Sequence, residues 1–262
     1  MAVHSGKLGV VNGVAGVKDW AVTVLSRVSD YGASNTKNGR VRPIGVKDWN
    51  GRFNFVGVIP PAMPGESFSW QGYDGADLSS GTAIIDSVEL FCDIENAREI
   101  VGTCNFSGNG AHTFGIGTAT DVTTTSPYPA LGCKANYAGT DIPDVRNWRL
   151  TISANNRPYV SSDTANWTKR VAGMIDAQAM VSMYVTTLAG LPAMNAYDIL
   201  KLYVDATTYW SLKWMMGTNV APYANVDSAD AVGANLIFQF SGLDDADTAG
   251  SIVKPDLVVW WP

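Results

Sequence analysis

Hydrophobic and polar residues along this chain alternate with a period of two. Trp20, Val22 and Val24 alternate with Ala21 and Thr23; Val88, Leu90, Cys92 and Ile94 alternate with Glu89, Phe91, Asp93 and Glu95; Leu236, Phe238 and Phe240 alternate with Ile237 and Gln239. Successive side chains of a strand point to opposite faces, so each run predicts a strand with one face on a core. Leu257, Val259 and Trp261 predict a last strand of the same kind. The 26 Gly and 12 Pro punctuate these runs, and Asn38-Gly39 and Asn50-Gly51 are hairpin signals. Only Ala172 to Met183 reads as a short helix, so the expected fold class is all-β with one short helix per unit.

Three short matches recur in the same order. Val17-Lys18-Asp19-Trp20 returns as Val145-Arg146-Asn147-Trp148, Pro61-Ala62-Met63 as Pro192-Ala193-Met194, and Phe106-Ser107-Gly108 as Phe240-Ser241-Gly242. The offset drifts only from 128 to 134 residues, which points to duplication of one β module. The expected organisation is two tandem modules, 1–116 and 140–262, joined by a linker at 117–139 that contains Thr123-Thr124-Thr125-Ser126-Pro127. Within the first module, Gly16-Val17-Lys18-Asp19-Trp20 is echoed by Gly45-Val46-Lys47-Asp48-Trp49, predicting two strands that present Trp to one core. The polar segment between them, Ser26 to Arg42, predicts a long exposed arm with Asn35, Thr36, Lys37, Asn38 and Gly39 at its tip.

Composition narrows the function. The chain has 262 residues, 46% of them hydrophobic, including 9 Trp, 10 Tyr and 8 Phe, so it carries ample material for a core. Charged residues make up only 16%, which suggests that much of the outer face is contact surface. A net charge of −6 gives no cationic ladder to grip a phosphate backbone, yet suits a wall past which DNA slides. Cys92, Cys104 and Cys133 are odd in number and form no Cys-x-x-Cys pair, so reduced buried thiols are expected, with no zinc site. Met1 to Val10 lacks the apolar stretch of a secretory signal, and no run of about 18 apolar residues predicts a membrane span. Synthesis in a cytoplasm is therefore expected.

Catalytic patterns are missing. The chain has two His: His4 near the N-terminus and His112 after the Gly108-Asn109-Gly110 turn. No Gly-x-Ser-x-Gly elbow, phosphate loop or helical His pair occurs. Asp93 and Glu95 lie two apart on one strand, and Asp244, Asp245 and Asp247 cluster near the second Phe-Ser-Gly; both sets read better as solvated polar positions than as glycosidase acids or a calcium loop. Trp20, Trp49, Trp148, Trp260 and Trp261 are expected in cores, whereas Trp210 and Trp214 share a strand side and are candidates for an interface. No enzyme, cofactor or metal is expected.

Asp48-Trp49-Asn50-Gly51, Pro64-Gly65-Glu66, Gly81-Thr82-Ala83-Ile84-Ile85, the strand from Ser87 to Ile94 and Asn105-Phe106-Ser107-Gly108-Asn109-Gly110 resemble the tail tube domain of long-tailed bacteriophages. In that family an Asp-Trp-Gly strand leads to a Pro-Gly turn, a Gly-Ala strand and a Phe-x-Gly-Asn-Gly strand end. The likeness covers most of residues 16–116; the second module keeps Asn147-Trp148, Pro192-Ala193-Met194 and Phe240-Ser241-Gly242 but lacks the Pro-Gly-Glu and Gly-Asn-Gly. The resemblance implies two tail-tube-like β-sandwich or barrel domains and a virion protein of the tail, assembled in the host cytoplasm. Its rings would stack into a tube through which DNA is ejected, and three copies would form a pseudo-hexameric ring. It further implies Glu89, Asp93 and Glu95 as lumen wall, the Asn35 to Gly39 arm as the contact between rings, and tape measure and terminator proteins as partners. A capsid decoration or neck protein is the alternative, followed by a carbohydrate-binding module or glycosidase.

Overall fold

A computed structural model describes residues 10–28, 42, 44–57, 60–118, 129–185, 196–223, 232–241 and 258–261, the last four by backbone alone. The strands are β1 (Val10–Val11), β2 (Val17–Val28), β3 (Ile44–Val56), β4 (Ser67–Tyr73), β5 (Asp77–Asp93), β6 (Val101–Ile116), β7 (Ala135–Tyr137), β8 (Thr140–Ile142), β9 (Val145–Ala154), β10 (Arg157–Tyr159), β11 (Lys169–Val171), β12 (Ile175–Tyr184), β13 (Tyr197–Tyr203), β14 (Tyr209–Tyr223), β15 (Gly233–Phe240) and β16 (Val258–Trp261). The all-β expectation holds. The short helices do not: the helical content among the described residues is two single 3-10 turns, Ala130–Gly132 and Ser162–Thr164. The stretch read as helical, Ala172 to Met183, is mostly β12. Its Ala177, Ala179, Val181 and Met183 are buried with period two, and Gln178 to Tyr184 pair antiparallel with β15. Alanine-rich composition favours helix locally, but the ladder to β15 decides the outcome.

The chain forms two compact units that interleave in sequence, unlike the expected chain-order division. Unit 1 holds Met1–Val88, Thr103–Thr125 and Ser153–Ile175; unit 2 holds Glu89–Gly102, Ser126–Ile152 and Asp176–Pro262. Strand length is the physical reason. The 17 residues of β5 extend about 56 Å at roughly 3.3 Å each, too far for one small core, and its last five residues belong to unit 2. Part of the expected linker is also core, since all three residues of β7 are buried. The Thr123 to Pro127 stretch lies outside the described residues.

Unit 1 is ordered β1-β4-β5-β6-β3-β2, and its core is aromatic. Trp49, Phe53, Phe55, Trp70 and Phe106 are all buried, with the Trp70 and Phe106 rings 4.5 Å apart. The Trp49 indole fits because two neighbours lack side chains. A Cβ on Gly108 would overlap its pyrrole ring, and one on Gly81 would come within 2.7 Å. Its Nε1 donates to the Gly110 carbonyl at 2.9 Å, which satisfies the one polar atom of a fully enclosed ring. In unit 2 the order is β9-β12-β15-β14-β13-β7-β8, with β16 also paired to β14. Its core is aliphatic with a few rings: Trp148, Leu150, Ile152, Val181, Leu200, Leu202, Leu236 and Phe238 are all enclosed.

The two orders are the same order. Replacing β1, β4, β5, β6, β3 and β2 by β7, β13, β14, β15, β12 and β9 turns one into the other while preserving the direction along the chain. Detail repeats too: Trp20 Nε1 donates to the Tyr73 carbonyl and Trp148 Nε1 to the Tyr203 carbonyl, each at 3.3 Å. The first sequence match therefore falls on equivalent strands, β2 and β9. The Phe106 and Phe240 match does also, on β6 and β15, although Phe106 is enclosed in mid-strand and Phe240 is half-buried at a strand end. Pro192-Ala193-Met194 lies outside the described residues.

Candidate assembly edges

Equivalent strands have unequal surroundings. In unit 2, β9 is flanked on one side by β12 and on the other by the end of β5. The amides of Ile94 and Glu95 donate to the Arg146 carbonyl at 2.9 and 3.0 Å, and Arg149 meets Glu89 at 3.4 Å. Enclosed in this way, Trp148, Leu150 and Ile152 are no more than 1% exposed. In unit 1, β2 has β3 as its one ladder neighbour among the described residues. Its matching side chains are open: Trp20 and Val22 are half-buried, Val24 is 38% exposed, and Leu25 and Val28 beside them reach 52% and 54%. An apolar strand edge of this kind is an association surface unless something covers it.

A second bare edge belongs to β14. Its residues from Tyr209 to Met216 pair with β13, and those from Met215 to Tyr223 pair on the other side with β15. Beyond Met216 the β13 side has no ladder neighbour among the described residues, and Ala221, Pro222 and Tyr223 are exposed. The corresponding part of β5, beyond Ile84, is the part that holds β9.

The three acidic residues expected to line a lumen are each engaged. Glu89 forms the exposed ion pair with Arg149. Asp93 is 8% exposed and caps the turn after β5, accepting from the Asn96 amide at 3.2 Å and the Asn96 side chain at 2.8 Å. Glu95 sits in that turn, accepting from Tyr184 at 2.7 Å and from Arg146 Nη2 at 2.6 Å. The Tyr184 hydroxyl and the Arg146 guanidinium together hold its carboxyl below the ordinary glutamate range. Glu89 and Glu95 thus lie beside cations from β9 and Asp93 caps a turn, a proximity no local pattern encodes. The arm from Asn35 to Gly39 lies outside the described residues. Its chain-order counterpart, between β9 and β12, folds as the β10–β11 hairpin.

That hairpin carries Arg170, which the sequence reading missed. In unit 1 its guanidinium grips Asp48 through two bonds, Nη1 at 2.9 and Nη2 at 2.8 Å, and also donates to the Gly108 carbonyl; its amide donates to Asn109 Oδ1 at 2.9 Å. The Asp-Trp and Gly-Asn-Gly motifs thus meet at one cation. The available signal was an acid next to a buried Trp in need of a partner, but its distance of 122 residues along the chain gave no pattern to read.

The candidate chemical groups are placed as follows. His112 is buried, its Nε2 2.9 Å from Ser79 Oγ, which also accepts from Trp70 Nε1 at 2.9 Å. Burial lowers its pKa and favours the neutral ring. This Ser–His contact is enclosed, so it serves the core. His4 and the Asp244, Asp245 and Asp247 cluster lie outside the described residues, as do the side chains of Trp260 and Trp261. Cys92, Cys104 and Cys133 are free and buried. The Cys92 thiol is pushed up by its hydrogen bond with Cys133 and by burial, and that of Cys104 by burial, which leaves both unreactive. Trp210 and Trp214 do not form the expected shared face. Trp210 is enclosed, and Trp214 has φ 57° at a bulge that moves the inward set from Trp210 and Leu212 to Met215 and Gly217. Among the described residues, no helix is long and apolar enough to cross a membrane, and no cluster of metal-ligating side chains occurs.

Comparison with known proteins gave no matching family model and no matching curated protein.

Proposed function

We propose that this chain is a structural subunit of the tail tube of a long-tailed phage, assembling with copies of itself into stacked rings through which DNA passes. Each copy supplies two similar β modules, so three copies close a ring of six. The observation that carries this reading is the repeated strand order, in which one module has its β9 edge covered and the other, among the described residues, leaves the equivalent β2 edge without a ladder neighbour beyond β3. A subunit built this way is incomplete alone and is completed by its own kind. The Asp-Trp, Pro-Gly and Gly-Asn-Gly motifs and the low charge fraction support the same reading. A net charge of −6, with Glu89 and Glu95 already matched by arginines, offers DNA no cationic track to bind. Virion tail proteins that cap the tube or fill it, such as terminator and tape measure proteins, are the expected partners.

Negative-stain microscopy of the concentrated purified protein tests this. Hollow tubes whose class averages hold three copies per ring are expected. Particles that remain single at every concentration would defeat the proposal, and six copies per ring would defeat the fused-pair stoichiometry. Binding to capsid shells without tubes would favour a decoration or neck protein instead.

A further inference from the structure

We propose that β2 of one copy pairs antiparallel with the Asn219–Tyr223 end of β14 of a second copy, in the register that β9 and β5 use within one chain. The occupant, a second copy, rests on the self-assembly reading above; the choice of edges rests on the repeat alone.

The internal joint serves as the template. Ile94 and Glu95 donate to Arg146, and Arg149 contacts both Glu89 and the Phe91 ring, so residue numbers rise on β5 as they fall on β9. This antiparallel run sets Glu89 opposite Thr151, and both line one shallow depression. Trp20 matches Trp148, which carries β9 onto β2, and Ile84 matches Met216, each being the residue opposite the first position of its partner strand, Ser67 and Tyr197. Transferred by these equivalences, Thr151 becomes Thr23 and Glu89 becomes Ala221. Both are exposed.

Burial supports the transfer. The side chains that the internal joint seals, Trp148, Leu150 and Ile152, have open counterparts on β2 in Trp20, Val22 and Val24. On the opposite edge, Tyr223 remains 43% exposed. The two edges differ from each other, so the contact is head-to-tail: it closes into a ring or propagates as a filament, and it does not stop at a symmetric dimer.

Two variants that each add one surface cysteine, Thr23→Cys and Ala221→Cys, are mixed, concentrated and oxidised, then run on a non-reducing gel beside a Thr23→Cys and Thr140→Cys control. The native cysteines are buried and do not interfere. A disulfide dimer from the first mixture and none from the control is expected. A Val24→Glu variant should also raise the concentration needed for assembly by about tenfold or more, because it places a charge where the template buries Ile152. Tubes that form without the specific dimer overturn this joint and leave the tube reading standing. The dimer without tubes supports the joint and overturns the tube. Absence of any self-association overturns both.

Discussion

Replacing Arg170 with Ala tests whether a single cation ties the β10–β11 hairpin to the motifs around Trp49. The Arg170 and Asp48 side chains are 11% and 25% exposed and share two charged hydrogen bonds at 2.8 and 2.9 Å. Breaking a fully buried pair costs about 3–5 kcal/mol because the remaining charge stays in a poor environment. Here Asp48 is one-quarter open to water and keeps the Trp49 amide at 2.8 Å, which reduces the penalty to about 2 kcal/mol; the abandoned Gly108 carbonyl adds about 1 kcal/mol. The expected loss is about 3 kcal/mol, or a fall in melting temperature of about 6–12 °C for a chain of this size. Equilibrium urea unfolding of Arg170→Ala, Asp48→Ala and the double variant measures it. The cycle should give a coupling of at least about 1.5 kcal/mol. Arg170→Lys should recover only part of the loss, since an ammonium cannot match both carboxylate oxygens in one plane. A loss below about 0.5 kcal/mol, or simple additivity in the cycle, would refute the argument.

Other consequences follow from the same geometry. Gly108→Ala drives a methyl into the Trp49 indole and should cost about 3 kcal/mol or more, whereas Gly110→Ala meets open space and bears only the strain of φ 116°, about 1–2 kcal/mol; thermal melts of the two variants should rank in that order. His112 has its folded-state pKa depressed by burial, so the unfolded chain takes up the proton first. Stability is therefore fully present above the ordinary histidine pKa of about 6.5 and declines as pH falls through it; His112→Gln should flatten the stability profile between about pH 5 and 7, and an unchanged slope in urea titrations would contradict this. Val24→Lys on the open β2 edge should leave monomer stability within about 0.5 kcal/mol in denaturation, while Ile152→Lys at the enclosed equivalent should prevent folding, as judged by circular dichroism and solubility.

Much of this architecture is written locally. Period-two alternation at Val88 to Ile94 and Leu236 to Phe240 specifies strands and their buried faces, because side-chain direction in a strand depends only on the parity of position. The Trp20 and Trp148 match falls on β2 and β9 for the same reason: similar stretches adopt similar strands. Long-range pairing was not legible. Ala172 to Met183 satisfies both helical and strand patterns, and only the β15 ladder resolves it. Asp48 and Arg170, 122 residues apart, carry no mutual signal until the chain brings them together. Glu95 looks like a free acid in the sequence and becomes the acceptor for Arg146 and Tyr184 only once β9 lies alongside. Composition and pattern thus determined what most segments would be, since those choices depend on neighbours a few residues away. Which strand edges find a partner was decided by tertiary structure, because a strand's hydrogen bonds go to partners its own sequence does not name.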